Sequence, residues 1–134
     1  MNSYVGVSYD GAFYVPNYRT YQRLSQIVAP APSGLWVLLD EREDSLNDCQ
    51  FIVGMEGYNP RVPTQTRMID YPAAYHNSAG ALSFADGHTE LHRWRDARTM
   101  PVLRPGQLLT LNVASPNNRD ITWLQARTSA RLPR

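Results

Sequence analysis

Three polar side chains at alternate positions form the most chemically suggestive pattern in this 134-residue sequence. His88, Glu90 and His92 are two residues apart, so on a β-strand all three would point to the same face. Imidazole nitrogens and a carboxylate can bind zinc or copper. Side chains two positions apart on a strand are about 6.5 to 7 Å from one another, so a metal would need strand twist or a fourth ligand from elsewhere. A solvated polar face is the simpler interpretation.

A second group of possible ligands lies in the acidic stretch 40–48. Hard cations such as calcium bind carboxylate and amide oxygens, which are concentrated there. If calcium binds, its ligands would be Asp40, Glu43, Asp44 and Asp48. The stretch lacks the order of acidic residues and glycine that defines an EF-hand, so an ordinary solvated loop is the favoured interpretation and a calcium site is the alternative. No cofactor is otherwise expected.

The sequence shows no arrangement for nucleophilic catalysis. Cys49 is the only cysteine, and neither a Gly-x-Ser-x-Gly elbow nor a phosphate-binding glycine loop occurs. The formal charge is only +1, and all thirteen basic residues are arginine, so no strong field attracts nucleic acid. No apolar run reaches the roughly 18 residues of a membrane span, and the first residues lack a signal-peptide pattern. We therefore expect a non-catalytic protein that does not bind nucleic acid.

The histidines belong to a predicted hairpin over residues 81–94. Asp86 and Gly87 separate two alternating runs, which is typical of a two-residue hairpin turn. That turn would pair Leu82 with Leu91. Leu82, Phe84 and Leu91 would then share the face that packs on the core.

Other segments complete a β-rich α+β domain, which we expect to have an antiparallel sheet of four to five strands and a short C-terminal helix. Apolar runs predict strands at 35–39 and 51–55 and an edge strand at 108–113. Asn117 and Asn118 precede the predicted helix, and asparagine is a favourable residue at a helix N-cap. The chain divides into an irregular aromatic lead segment (1–22), a globular domain (23–128) and a flexible tail (129–134).

One spacing resembles a known family. His76, nine intervening residues and then Asp86 and Gly87 are similar to the signature of the prepilin-type processing-associated domain of type II secretion pseudopilin-like proteins. Further similar segments are 36–41, 44–48, 71–77, 83–88, 94–96, 115–118 and 123–125. The resemblance covers roughly residues 22 to 128.

The resemblance implies a pilin-like globular domain that serves as a structural or assembly module of a bacterial envelope filament or secretion apparatus, in the periplasm or outside the cell. In the family a long N-terminal helix anchors the protein in the membrane. This sequence lacks that helix, so membrane anchoring requires an upstream one. The alternative is a non-catalytic binding module for a carbohydrate, a protein partner or a metal. His76, Asp86 and Gly87 are expected to be structural, with the His76 side chain hydrogen-bonded to the hairpin base.

The missing helix also predicts association. It would pack on one sheet face, whose apolar side chains are Leu35, Val37, Leu39, Leu82, Phe84 and Leu91. The predicted C-terminal helix, about 12 Å long, is too short to cover that face. An uncovered apolar face is typical of an interaction site. We therefore expect this face to bind a second copy or a larger protein complex.

Overall fold

The structure is a computed structural model that describes residues 1–6 and 17–133. Within these residues five strands and one α-helix form. They are β1 (Trp36–Leu39), β2 (Arg67–Met68), β3 (Ala79–Phe84), β4 (Thr89–Arg93), β5 (Val113–Ala114) and α1 (Arg119–Thr128). Short 3-10 turns lie at Leu24–Gln26, Pro32–Gly34, Pro63–Gln65 and Ala97–Thr99. The α+β, antiparallel class is as expected, but the strands form a three-stranded and a two-stranded sheet instead of one larger sheet.

The three-stranded sheet has the order β1-β3-β4 with antiparallel neighbours. Trp36 lies opposite Phe84, while Leu38 lies opposite Ser83, so Val37 is an extra residue in β1. Such a bulge changes which side chains share a face. As a result Trp36 is buried and Leu38 points to solvent.

The β3–β4 hairpin forms as predicted, but its turn is one residue longer. The amide of Phe84 donates to the carbonyl of His88 over 2.9 Å, and the amide of Gly87 donates to the carbonyl of Phe84 over 2.9 Å. Three residues, 85–87, therefore connect the strands. Gly87 has a φ of +94°, as expected for the left-handed position of a three-residue hairpin loop.

The longer turn shifts the strand register by one residue. Leu82 lies opposite Glu90, and Leu91 lies opposite Ala81. A one-residue shift reverses the face of every side chain on one strand relative to the other. The prediction that Leu91 shares the core face with Leu82 and Phe84 is therefore wrong, and Leu91 is exposed.

The two remaining predicted strands are largely absent as strands. Only Phe51 of residues 51–55 makes a bridge, to Asn2, although the whole segment is buried. Two of its backbone groups, the amide of Ile52 and the carbonyl of Gly54, bond to side chains. The amide of Ile52 donates to the carboxylate of Asp70 over 2.6 Å. Of the predicted strand 108–113, only its last residue lies in β5, which pairs with β2.

The C-terminal helix forms as predicted and is ten residues long. Asn118 is its cap, and its side-chain oxygen accepts hydrogen bonds from the amides of Asp120 and Ile121 over 2.9 and 3.3 Å. Ile121 and Leu124 face the interior. In the described part of the chain, no helix has the length and apolarity needed to cross a membrane.

The core face of the three-stranded sheet is covered within the chain. Side chains from the lead segment, from residues 51–55 and from α1 form one cluster with it: Tyr4, Tyr18, Trp36, Leu39, Phe51, Val53, Met55, Leu82, Phe84, Trp94 and Leu124. A second cluster buries Leu35 against Tyr21 and Ile27. The expectation that this apolar face is uncovered is therefore wrong, since side chains of the lead segment, of residues 51–55 and of α1 pack on it. Residues 7–16 of the predicted lead segment lie outside the described residues.

The predicted flexible tail is paired with the lead segment up to Leu132. The amide of Arg19 donates to the carbonyl of Ala130 over 2.8 Å, and the amide of Leu132 donates to the carbonyl of Asn17 over 2.7 Å. The hydroxyl of Ser129 donates to the carbonyl of Arg19 over 2.7 Å. These bonds close the chain by joining its two terminal regions.

Candidate interaction site

His76 belongs to a tight turn that leads into β3. Its backbone exchanges hydrogen bonds with Ala79 over 3.2 and 3.1 Å. Asn77 and Ser78 between them have φ values of +53° and +65°, as in a type I′ turn. The side chain of His76 is exposed and makes no hydrogen bond to the described residues. Its predicted side-chain bond to the hairpin base is therefore wrong.

The side-chain hydrogen bond that the sequence predicts for His76 is made by Trp94 instead. Its indole nitrogen donates to the carbonyl of Ala73 over 2.8 Å, and its backbone amide donates to the carbonyl of Ser78 over 2.8 Å. Gly80 allows this packing, because a Cβ there would lie 2.7 Å from the Ala73 carbonyl oxygen and 3.1 Å from the Trp94 ring. The segment before β3 is thus fixed to the end of β4 by Trp94.

Asp86 acts within the hairpin turn. Its carboxylate accepts from the backbone amide of His88 over 3.1 Å and lies 2.5 Å from the Nδ1 of the same residue. Hydrogen bonding between the side chains lowers the pKa of Asp86 and raises the pKa of His88. The imidazole also stacks on Phe84, with ring centres 4.4 Å apart. These contacts stabilise the turn.

His92 has a different environment from His88. Its ring stacks on Trp123 with centres 3.6 Å apart and meets the edge of Trp94 at 4.9 Å. Burial is the main cause that lowers its pKa. The register shift explains this placement, since it turns the predicted polar face of β4 toward the side of the sheet that carries Leu82. His92 is therefore a packing residue between the sheet and α1.

Neither predicted metal site is assembled. Within residues 1–6 and 17–133 no three histidine, cysteine, aspartate or glutamate side chains are grouped as metal ligands. The carboxylate of Asp44 is instead paired with Arg42 over 2.6 and 2.8 Å. Asp48 accepts a hydrogen bond from the amide of Gln50, while Asp40 and Glu43 are exposed. The four predicted calcium ligands thus lie in separate local environments.

The buried Arg42–Asp44 pair fixes a loop that sequence reasoning did not single out. Arg42 donates to the carbonyl of Pro101 over 2.7 Å. The backbone carbonyl of Asp44 accepts from the amide of Leu109 over 2.8 Å. Because both side chains are buried, these bonds hold the two ends of the loop 101–109 against the acidic stretch.

The loop held in this way displays the two most exposed large apolar side chains of the described residues. Val102 and Leu108 are 79% and 81% exposed. They line a cavity of about 380 Å³ with Pro101 and Leu109, whose polar rim includes Arg104. A type II turn at the tip sets this shape: the amide of Gln107 donates to the carbonyl of Arg104, with Gly106 at a φ of +73°. We call the feature lined by residues 101–110 the apolar groove.

A second apolar surface lies on the solvent side of the three-stranded sheet. Leu38 and Leu91 are 54% and 62% exposed. Ala81 and Ser83 lie between them in β3, opposite Leu91 and Leu38 respectively. We call these four residues the outer sheet face.

One buried carboxyl group, Asp70, and one half-buried carboxyl group, Glu41, form a feature that residue spacing does not reveal. Burial raises the pKa of Glu41 to about 7 and that of Asp70 to about 6. Glu41 accepts a hydrogen bond from Ser45 over 2.9 Å, and Asp70 accepts from Ile52. The negative charges of Asp70 and Asp48 further raise the pKa of Glu41. The two groups are 29 residues apart in the sequence, which is why no local pattern indicates them.

The chain matches no known protein-family model, no curated protein and no solved structure.

Proposed function

We propose that this protein is a non-catalytic structural or assembly module, of the pilin-like type that the resemblance implies for a bacterial envelope filament or secretion apparatus. The observation that carries the proposal is the apolar groove. It combines exposed apolar side chains with polar residues such as Arg104 and Gln107, a mixture that is typical of protein–protein contact sites. Val102 and Leu108 are anchored at both ends of their loop by the buried ion pair, so they are presented without a large ordering cost.

The partner we propose is a second copy of the chain. The net charge of +1 gives little repulsion between copies. The groove and the outer sheet face share no residue. Binding of the groove of one copy to the outer sheet face of the next is a heterologous contact, and such contacts produce open chains where the rotation does not close a ring. This geometry agrees with assembly into a filament.

Sedimentation velocity over a range of protein concentrations tests the proposal. Wild-type protein should associate with increasing concentration. The double variant Val102→Ser and Leu108→Ser should remain monomeric, since it removes apolar area from the groove. The double variant Leu24→Ser and Val28→Ser is the matched control, because both side chains are 66% exposed and lie outside both surfaces. It should associate as the wild type does.

A mixing experiment tests the head-to-tail geometry. A second double variant, Leu38→Ser and Leu91→Ser, removes the outer sheet face and should also be monomeric. An equimolar mixture of the groove variant and the face variant should form one-to-one dimers, since each supplies the surface that the other lacks. The proposed assembly would be rejected if the wild-type chain stayed monomeric at high concentration. It would also be rejected if the groove variant and the face variant each still associated on their own.

A second candidate function is the binding module. It is favoured by a separate cavity beside Trp123, whose lining is rich in arginine.

A further inference from the structure

A cavity of about 440 Å³ lies between the segment after Pro60 and the start of α1. The residues that line it are Arg61, Pro63, Asn117, Arg119, Thr122 and Trp123. Its two walls are joined by a backbone hydrogen bond of 2.7 Å from Asn117 to Pro63. The pairing of β2 with β5 also holds these walls together. The volume is in the range of small-molecule sites.

The cavity lining carries positive charge without a carboxylate. Arg61 and Arg119 are exposed, and neither guanidinium makes an ion pair or hydrogen bond with the described residues. The nearest acidic residue in sequence, Asp120, is buried and accepts hydrogen bonds from the backbone amides of Arg95 and Asp96. Two guanidinium groups that line one cavity without a carboxylate favour an anionic ligand, because arginine binds carboxylate and phosphate through paired hydrogen bonds.

Trp123 provides a rigid edge beside these charges. One face of its ring stacks on His92, and the guanidinium of Arg127 lies 4.1 Å from the ring centre on the other face, so the edge of the indole lines the cavity. Its indole nitrogen donates no hydrogen bond within the described part of the chain. The pyrrolidine ring of Pro63 adds an apolar surface. The cavity thus combines the edge of Trp123 and the ring of Pro63 with two cations and the side-chain amide of Asn117.

We propose that this cavity binds a hexose-sized ligand that carries a carboxylate or phosphate group. The anion lies between Arg61 and Arg119, and the sugar ring contacts Trp123 and Pro63. The helix N-terminus is not the source of this affinity, since the Asn118 side chain already occupies its first amides. The inference rests on the second candidate function and shares no residue with the apolar groove or the outer sheet face.

Titrations followed by the Trp123 indole N–H signal test the proposal, with that signal assigned by its absence in Trp123→Phe. The probes are glucuronate, glucose 6-phosphate, neutral glucose and inorganic phosphate. Glucuronate or glucose 6-phosphate should shift the signal and bind at least about tenfold more tightly than glucose. The acid that binds more tightly identifies the preferred anion. Inorganic phosphate should bind more weakly than the sugar acid, since it makes no contact with the ring surfaces.

Matched arginine variants complete the test. Arg61→Gln with Arg119→Gln should weaken binding of the sugar acid at least about tenfold, while its thermal unfolding stays that of the wild type. Arg23→Gln with Arg93→Gln removes two other exposed arginines and should leave binding unchanged. The proposal would be overturned if glucose or inorganic phosphate bound as tightly as the sugar acid, or if the Trp123 signal did not shift. It would also be overturned if both double variants lost the same affinity for the sugar acid. Neutral-sugar binding without a Trp123 shift would overturn this site but keep the binding-module function.

Discussion

Asn2 joins three separate parts of the chain through one fully buried side chain. Its amide nitrogen donates to the carbonyls of Trp36 and Thr128 over 2.9 and 3.1 Å, and its side-chain oxygen accepts from the amide of Tyr4 over 3.0 Å. The lead segment, β1 and the end of α1 therefore meet at a single residue. Because buried backbone groups must be paired, this residue determines how tightly the lead segment covers the sheet.

Replacing Asn2 with Asp tests that role. Aspartate has nearly the same shape but no donor, so two buried carbonyl groups lose their partner and face a carboxylate. We expect the free energy of unfolding to fall by more than about 3 kcal/mol, measured by urea denaturation at neutral pH. Asn47→Asp makes the same change of charge at an exposed position and should be close to neutral. Similar losses in both variants would contradict the role of Asn2.

At the scale of elements, the hairpin depends on the backbone conformation of Gly87. Its φ of +94° is rarely adopted by residues with a β-branched side chain, although a Cβ there would meet no other atom within 4 Å. Gly87→Val should therefore destabilise the protein by more than about 1 kcal/mol, whereas Gly87→Asn should cost less, because asparagine tolerates positive φ. Thermal unfolding of both variants measures the difference. A neutral Gly87→Val would show that the turn has no conformational requirement.

The carboxyl group of Asp70, which accepts a hydrogen bond from the amide of Ile52, predicts that the stability of the fold depends on pH. The pKa of Asp70 is raised to about 6 in the folded state, so its contribution to stability is complete below about pH 4 and is lost as the pH rises through 6. Glu41, with a pKa of about 7, acts in the same direction. The free energy of unfolding should thus decrease from about pH 4 to pH 7, with about 2 to 3 kcal/mol from Asp70 over that range.

Substitution of the carboxyl group isolates this effect. Asp70→Asn keeps an oxygen that can accept from the amide of Ile52 and should make the decrease between pH 4 and pH 7 smaller, leaving the part that Glu41 contributes. Asp40→Asn, at an exposed position, should leave the decrease unchanged. Stability that rises over this pH range in the wild type would contradict the assigned direction.

Elements with a strong local signal could be predicted from the sequence, and those determined by distant contacts could not. The hairpin, β1 and the helix capped by Asn118 all have turn, apolar or capping residues at fixed local spacing. The hairpin register was predicted wrongly because Asp-Gly suits both two-residue and longer loops, and the choice between them is made by packing of Phe84 and His88. Residues 51–55 form no strand since their partner groups, among them Asp70, come from remote parts of the chain.

The candidate sites show the same limit. Leu108 begins the apolar run 108–113, which also suits a strand, and only the contacts of Arg42 and Asp44 with Pro101 and Leu109 reveal that Leu108 and Val102 belong to one exposed loop. Arg61 and Trp123 are 62 residues apart and meet through the pairing of β2 with β5. Composition does indicate one property of the whole correctly, namely that a small loop-rich chain needs many aromatic side chains to form a core.

At the scale of the whole molecule, the two ends of the chain form one closing unit. Residues 129–132 pair with residues 17–19, and the lead segment in turn buries Tyr4, Tyr18 and Tyr21 against the sheet side of the core. The C-terminal residues therefore support the lead segment, which covers the sheet. Removing the tail should therefore expose the lead segment that covers the sheet, in addition to shortening the chain.

A truncation series measures this coupling. A variant that ends at Thr128 loses the bonds from Arg19 to Ala130, from Leu132 to Asn17 and from Ser129 to Arg19. At about 0.5 to 1.5 kcal/mol for each hydrogen bond, we expect stability to fall by about 3 kcal/mol and hydrogen exchange to become faster at the amide of Tyr21. A variant that ends at Leu132 keeps all three bonds and should unfold at the same temperature as the full chain. Equal stability of both variants would mean that the tail contributes nothing and that the lead segment covers the sheet by its own packing, because only the longer variant retains the pairing.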